Sequence, residues 1–374
     1  MFYSIQHTTQ FRYDAQIRES TMELRMQPRS EGSGRCLSFD LHIAPRPRVF
    51  AYRDCWNNLV HAFDVPGFHQ ELEIKATAIV ENVGEGSTPS VCTWADLDAA
   101  TNEDDFWDFL LPSKFARRTE RLTALIQEWQ IARRDDPLSL LNELSEKIYR
   151  GFEYVPSATR ADSPIDEALE GRRGVCQDFT HIFIAAAREI GIPCRYVSGY
   201  LYHGDNSRDR SVATATHAWP EAWLPGNNWI GFDPTNNLLT AERHIRTAVG
   251  RDYADVPPTR GVFKGRATTD LSVAVEVKRI SAPSLESLAP APPEMMPQAV
   301  SGVTAAVWPP PSTILQDEVS EQAQQQQQAR QRITRSPLEI QLSAIPAQLF
   351  VTPYPTVCER LEDQDRWNEN DDGR

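Results

Sequence analysis

The sequence lacks long apolar runs and an excess of basic residues. No stretch approaches the roughly 18 apolar residues of a membrane helix, and Met1 to Asp14 contains no basic segment followed by an apolar one. The 38 Lys and Arg face 52 Asp and Glu, a formal net charge of −14, so a nucleic-acid backbone would on average be repelled. We therefore expect a cytoplasmic protein with no membrane and no nucleic-acid partner.

Cysteine pairs that bind metals or exchange disulfides are also missing. The six cysteines are spread over 374 residues without a CxxC pair. Most of them are therefore predicted to be small buried thiols. No EF-hand pattern is present, and we predict no metal and no cofactor.

The first part of the chain alternates apolar and polar residues in short stretches, as in 72–80. Turn residues such as Pro66 and Gly67 separate these stretches. This spacing is typical of an antiparallel sheet. Residues 1–84 are therefore predicted to form an N-terminal β-domain.

Beyond residue 84 the apolar period becomes helical and later returns to that of strands. Asp136 followed by Pro137 predicts the start of a helix, while Gly191 followed by Pro193 predicts the end of another. Residues 85–280 are therefore predicted to be an α+β domain. Its helices are expected within 115–129, over 137–150 and over 176–190, and its strands over 195–202, 216–224, 229–233 and 271–277.

The composition changes again near residue 281. Eight prolines occur between residues 281 and 312, and a glutamine run occupies Gln324 to Gln328. Such a segment buries too little apolar surface to offset its chain entropy. Residues 281–374 are predicted to be a mostly disordered tail, whose acidic end could recruit a partner protein.

Three residues in this order predict covalent catalysis. Cys176 follows a glycine-containing turn at the start of a helix, where free N–H groups and the helix dipole favour a thiolate. His217 begins an aromatic-rich strand and could exchange protons with the sulfur and the leaving group. Asp233 ends the next strand, where a hairpin would bring it beside His217 as the third member of a triad.

Several neighbouring residues have more than one interpretation. The backbone N–H of Cys176 could bind an oxyanion, and Gln177 or Tyr154 could add a second donor. Asp178 could contact substrate, although the first turn of a helix favours an acidic residue in any case. Trp219 could shield an intermediate or simply pack in the core.

Two further features complicate the site. A zinc site formed by Cys176, His181, Cys194 and His217 has no common spacing but stays an alternative. Pro220 predicts that its position in the strand of His217 lies at a sheet edge or in a bulge.

Four motifs together resemble the transglutaminase-like superfamily of papain-like cysteine enzymes, in its bacterial branch with an N-terminal β-domain. They are Gly174-Val-Cys-Gln-Asp-Phe179, Gly191-Ile-Pro-Cys-Arg-Tyr-Val-Ser-Gly-Tyr200, His217-Ala-Trp-Pro-Glu221 and Trp229 to Thr235. The resemblance implies a papain/transglutaminase-like catalytic core with Cys176, His217 and Asp233 as its triad, acting on a peptide or protein through a thioester. It favours a cysteine-dependent amide hydrolase. A transglutaminase or amidase that transfers the acyl group to an amine, and a non-catalytic binding scaffold, are the alternatives.

Overall fold

The computed structural model describes residues 1–84, 89–103, 106–204, 207–283 and 319–322. The helices in chain order are α1 (Trp94–Glu103), α2 (Trp107–Leu110), α3 (Glu120–Glu128), α4 (Pro137–Gly151), α5 (Ile165–Gly171) and α6 (Cys176–Glu189). The strands are β1 (Phe2–Leu24), β2 (Gly34–Ala44), β3 (Arg48–Arg53), β4 (Leu59–Asn82), β5 (Glu153–Tyr154), β6 (Arg173–Gly174), β7 (Cys194–Leu201), β8 (His217–Leu224), β9 (Asn228–Asp233), β10 (Leu238–Leu239), β11 (His244–Gly250), β12 (Thr259–Lys264), β13 (Thr269–Ile280) and β14 (Val319–Gln322).

The first sheet is built around the long strand β1. Its antiparallel partners are β4, β12 and β13, and its alternating residues fill an apolar core that includes Phe11 and Ile17. The predicted N-terminal antiparallel sheet is confirmed. The strand predicted over 271–277 in the domain of residues 85–280 is part of β13, which extends this first sheet instead, as does β12. The strand pattern does not reveal a partner so far away in the chain.

The second sheet has the order β10-β9-β8-β7-β11, and α6 packs against β7 and β8. The predicted helices and strands of this region are confirmed in kind. Asp136 caps α4 by accepting the Ser139 N–H at 2.9 Å, and Gly191 follows α6 with a φ of +84°, a conformation that favours glycine. The mixed α+β class is thus the observed one.

Strand β8 lies inside the sheet and carries no bulge at Pro220, but at this position its side toward β9 is unpaired, as at a sheet edge. Pro220 pairs with Tyr196 of β7 without a register shift. The Trp223 N–H points toward the β7 side, to the Pro193 carbonyl, so alternation turns the nitrogen of Pro220 toward β9. Pairing with β9 begins only at Glu221, and the missing N–H therefore interrupts no ladder bond.

The two sheets meet along β11. The Asn58 side chain bonds both the N–H and the carbonyl of Val249, each at 2.8 Å. Asn82 donates to the carbonyl of His244 at 2.9 Å. The outer edge of β11 is thus covered by side chains of the N-terminal sheet.

Most of the predicted tail, residues 284–318 and 323–374, lies outside the described residues. Within 281–374, Val319–Gln322 form β14 and pair with β12, so this short piece is a strand. Among the described helices, none has the length and apolarity to cross a membrane.

Candidate active site

Cys176 is the first residue of α6, and the turn before it is held by Asp178. One oxygen of Asp178, Oδ2, accepts the N–H of Val175 at 2.8 Å and the hydroxyl of Thr159 at 2.5 Å. A Cβ on Gly174 would approach this oxygen to 2.7 Å, so glycine is required for this tight turn. The sulfur-bearing residue is 2% exposed.

The hairpin of β8 and β9 brings His217 and Asp233 together. His217 begins β8 and Asp233 ends β9, which place them at the same end of two antiparallel strands. His217 Nε2 lies 2.8 Å from Asp233 Oδ2, and both side chains are buried. The pairing anticipated from the two motifs is present.

The two carboxylate oxygens of Asp233 accept different sets of hydrogen bonds. Oδ1 accepts the N–H groups of Thr235 and Asn236 at 3.0 and 3.2 Å, which is the turn-forming habit of an Asp before Pro. Oδ2 accepts from His217 and, at 2.7 Å, from the Asn236 side chain. Burial raises the pKa of this carboxyl, but the charge of His217 and the hydrogen bonds from both histidines hold it well below its usual range.

Nδ1 of His217, the ring nitrogen that does not contact Asp233, is the one available to interact with Cys176. Nε2 is used by Asp233, while Nδ1 has no partner of regular hydrogen-bond geometry among the described residues. Burial lowers the pKa of His217, but Asp233 and then the Cys176 side chain outweigh it and raise that pKa to about 10. The imidazole is therefore positioned between a carboxylate and a thiol.

The two predicted candidates for a second oxyanion donor differ in their contacts. The Gln177 amide already donates to the Ala161 carbonyl at 2.9 Å. The Tyr154 hydroxyl accepts a hydrogen bond from the Val212 N–H, and its pKa is raised first by burial and then by nearby Cys176. The Tyr154 hydroxyl proton is therefore the more available donor, while the oxyanion role of either residue stays a prediction.

Trp219 is fully buried beside the imidazole rings of His217 and His244. Its ring centroid is 6.0 Å from that of His217 and 5.2 Å from that of His244. Its indole N–H is buried without a hydrogen-bond partner in the described part of the chain. Trp219 thus contributes apolar walls around the His217–Asp233 pair.

His244 is a member of this cluster that sequence reasoning missed. Its Nε2 lies 3.2 Å from the same Asp233 oxygen that binds His217. A histidine at the start of a strand carries no local signal, and no pattern in the chain links it to Asp233. Asn236, in contrast, directly follows the Asp-Pro-Thr segment and could have been recognised there.

The histidine and carboxylate atoms also define a group that could hold a metal. In the described ranges this group is His217, Asp233 and His244, whose ligand atoms lie within 4.8 Å of one another. Each atom already takes part in a hydrogen bond within the group, which a metal would replace. The alternative zinc set does not gather within the same ranges, since His181 Nε2 accepts the Tyr253 N–H instead.

Two family models match the chain. Residues 126–234 match the transglutaminase-like superfamily core, and residues 3–81 match the bacterial transglutaminase-like N-terminal region. An uncharacterised protein of Mycobacterium leprae is 34% identical over 74% of this chain and 98% of its own length. This chain belongs to the transglutaminase-like superfamily.

A curated enzyme and a solved structure are also similar to this chain. A protein-glutamine gamma-glutamyltransferase of Pseudomonas aeruginosa is 31% identical over 34% of this chain and 21% of its own length. A Cytophaga hutchinsonii crystal structure, described as a candidate cysteine protease, aligns with a TM-score of 0.60. At 22% identity, covering 76% of this chain and 92% of that one, it shows the shared fold.

Proposed function

We propose that this transglutaminase-like protein is a cysteine-dependent amide hydrolase that acts on peptides or proteins through a thioester on Cys176. The observation that carries the proposal is the buried His217–Asp233 hydrogen bond of 2.8 Å, with Cys176 close enough to raise the pKa of the same imidazole. The protonated ring would favour a thiolate beside it, which is the attacking form of cysteine.

The reaction follows from these positions. The sulfur attacks the amide carbon, and the carbonyl oxygen gains charge near the N–H groups at the start of α6. His217 gives a proton to the leaving amine as the carbon–nitrogen bond breaks, which leaves the thioester and a neutral imidazole. That imidazole then takes a proton from water as the water oxygen attacks the thioester carbon. The carbon–sulfur bond breaks, the carboxylic acid product leaves, and the thiolate and the protonated imidazole are regenerated.

The choice between water and an amine as the second nucleophile rests on family analogy, because the same three side chains serve both reactions. Aminolysis is therefore the second candidate, and a similar P. aeruginosa protein bears the name of a gamma-glutamyltransferase. A peptide mixture incubated with and without a tagged primary amine separates the two. Chain cleavage supports hydrolysis, whereas tag incorporation at glutamine supports transfer.

The first test is the reactivity of Cys176, which is 2% exposed, so attack requires side chains around it to move. At about pH 6 we expect iodoacetamide to label Cys176 faster than Cys194, an equally enclosed thiol whose pKa burial raises to about 12. Peptide mapping after timed labelling measures both rates. Equal rates would refute an activated thiol.

The matching kinetic test compares two alanine variants. Cys176→Ala should abolish turnover while leaving the unfolding midpoint near that of the wild type. Cys194→Ala removes a buried thiol without touching the reacting atoms, so its turnover should persist. The cytoplasmic location and the partner-binding tail stay predictions.

A further inference from the structure

His244 presents a defined hydrogen atom to Asp233. Its Nδ1 lies 3.2 Å from the backbone N–H of Ala241, so Nδ1 must be the acceptor nitrogen. The hydrogen of the neutral ring is then on Nε2, which points at Asp233 Oδ2 over 3.2 Å. The tautomer of His244 is thereby set by the backbone and not by the reacting groups.

His244 is also an uncharged donor. Burial lowers its pKa, although Asp233 acts in the opposite direction. A neutral donor orients the carboxylate without neutralising it, so the negative charge stays available to His217. The neighbouring Asn236 donor is neutral as well and reaches the same oxygen.

The backbone of His244 is held by the N-terminal sheet. Asn82 donates to the His244 carbonyl at 2.9 Å, and the Asn82 carbonyl in turn accepts the chain's terminal ammonium at 2.7 Å. The Arg29 N–H bonds the carbonyl of Arg246, two residues along β11, at 2.8 Å. The start of β11, which pairs with β7 in the sheet that carries His217 and Asp233, is therefore also held from the N-terminal side of the molecule.

We propose that His244 is a positioning residue for the reaction, which fixes the Asp233 carboxylate toward His217 and through which the N-terminal sheet supports the active site. This inference rests on the proposed function, since it assigns His244 a part in activating Cys176. It adds a fourth side chain to the three that the sequence motifs identify.

The test compares His244→Phe, which keeps a ring but has no donor, with His244→Gln, which restores an amide donor. In His244→Phe we expect kcat and the rate of Cys176 labelling to fall on the order of tenfold to a hundredfold, with KM nearly unchanged. His244→Gln should recover much of both rates. His7→Phe removes another buried, hydrogen-bonded histidine, in the first sheet, and should lower stability without lowering kcat.

The labelling rate separates failure of this inference from failure of the proposed function. If wild-type Cys176 reacts no faster than Cys194, the proposed function fails. If wild-type Cys176 is activated and His244→Phe reacts and turns over like the wild type, the positioning role of His244 is overturned.

Asn82→Ala leaves both imidazoles in place and gives an independent reading should His244→Phe fail to fold. In Asn82→Ala, a fall in kcat that is smaller than in His244→Phe, again with unchanged KM, would support the proposal that the N-terminal sheet supports the active site through His244. Wild-type rates in folded Asn82→Ala would overturn that link.

Discussion

Asp178 and Asp233 are both buried carboxyls beside the reacting groups, yet their pKa values move in opposite directions. Burial disfavours the charged form of each. At Asp233 the positive charge of His217 outweighs burial. At Asp178 the partners are the neutral donors of Thr159 and Val175, and burial prevails and raises the pKa to about 6.

This difference predicts a pH dependence of stability that belongs to Asp178. Since its folded pKa of about 6 exceeds the ordinary 3.8, the native state holds more protons between these values. The contribution of Asp178 to the free energy of unfolding should then fall as pH rises through that window, by on the order of 2 kcal/mol, while buried histidines such as His7 and His181, whose pKa values burial lowers to about 4, act in the opposite direction. Asp178→Asn keeps an acceptor but cannot titrate, so the free energy of unfolding of the wild type minus that of Asp178→Asn, measured with urea from about pH 4 to 6.5, should fall by this amount.

Thr159→Val provides the complementary variant for Asp178. It removes a donor that lowers the pKa of Asp178, so the window should move to higher pH. An identical pH dependence in wild type and Asp178→Asn would assign the effect to another group.

At the scale of elements, one carboxylate of strand β8 is paired both with the neighbouring strand β7 and with β11, the strand beyond β7. Glu221 is fully buried and pairs with Arg195 of β7 at 2.6 Å and with Arg246 of β11. Burial raises the pKa of Glu221, but Arg246 and Arg195 outweigh it and lower that pKa to about 2. Strand β8, which begins with His217, is thus joined to β7 and β11 by buried ion pairs.

Glu221→Gln should be strongly destabilising, because it leaves two arginines facing a neutral group. We expect a loss of about 3 to 5 kcal/mol in the free energy of unfolding. Glu146→Gln breaks the exposed pair with Arg150 on α4 and should cost under about 0.5 kcal/mol. Chemical denaturation of both variants measures the contrast, and similar losses would contradict it.

The same elements show how far sequence reasoning reaches. The start of helix α4 could be predicted from Asp136 and Pro137. The hairpin that joins His217 to Asp233 is contained in 17 consecutive residues, so local signals are sufficient to predict that pair as well. The pairing of β13 with β1 joins residues such as Ile5 and Val277, and alternation alone cannot choose among distant strands. The contact of His244 with Asp233 was missed for the same reason, because β11 reaches β9 only through the sheet order.

At the scale of the whole molecule, the two sheets should unfold together. Asn58 is fully buried and satisfies both backbone groups of Val249 in the other sheet. Asn58→Ala would leave those groups unpaired, at an expected loss of about 2 to 4 kcal/mol. Asn142→Ala, on the exposed face of α4, should change the free energy of unfolding by under about 0.5 kcal/mol.

The measurement follows tryptophan fluorescence, to which Trp219, Trp223 and Trp229 of the second sheet contribute, together with far-ultraviolet circular dichroism. Both signals should report one transition in the wild type and shift together in Asn58→Ala. Separate midpoints in the wild type would show that the sheets are independent units.

The pairing of β1 with β12 and β13 also orders events during synthesis. Residues that emerge first from the ribosome find their last strand partners only after about residue 280 has been translated. The segment with Cys176, His217 and Asp233 has by then already emerged. The edge of β1 that pairs with β12 and β13 therefore stays exposed in the nascent chain until residues 259–280 have been made. Chaperones that bind this edge, or a change in the translation rate over residues 259–280, would affect folding during this interval.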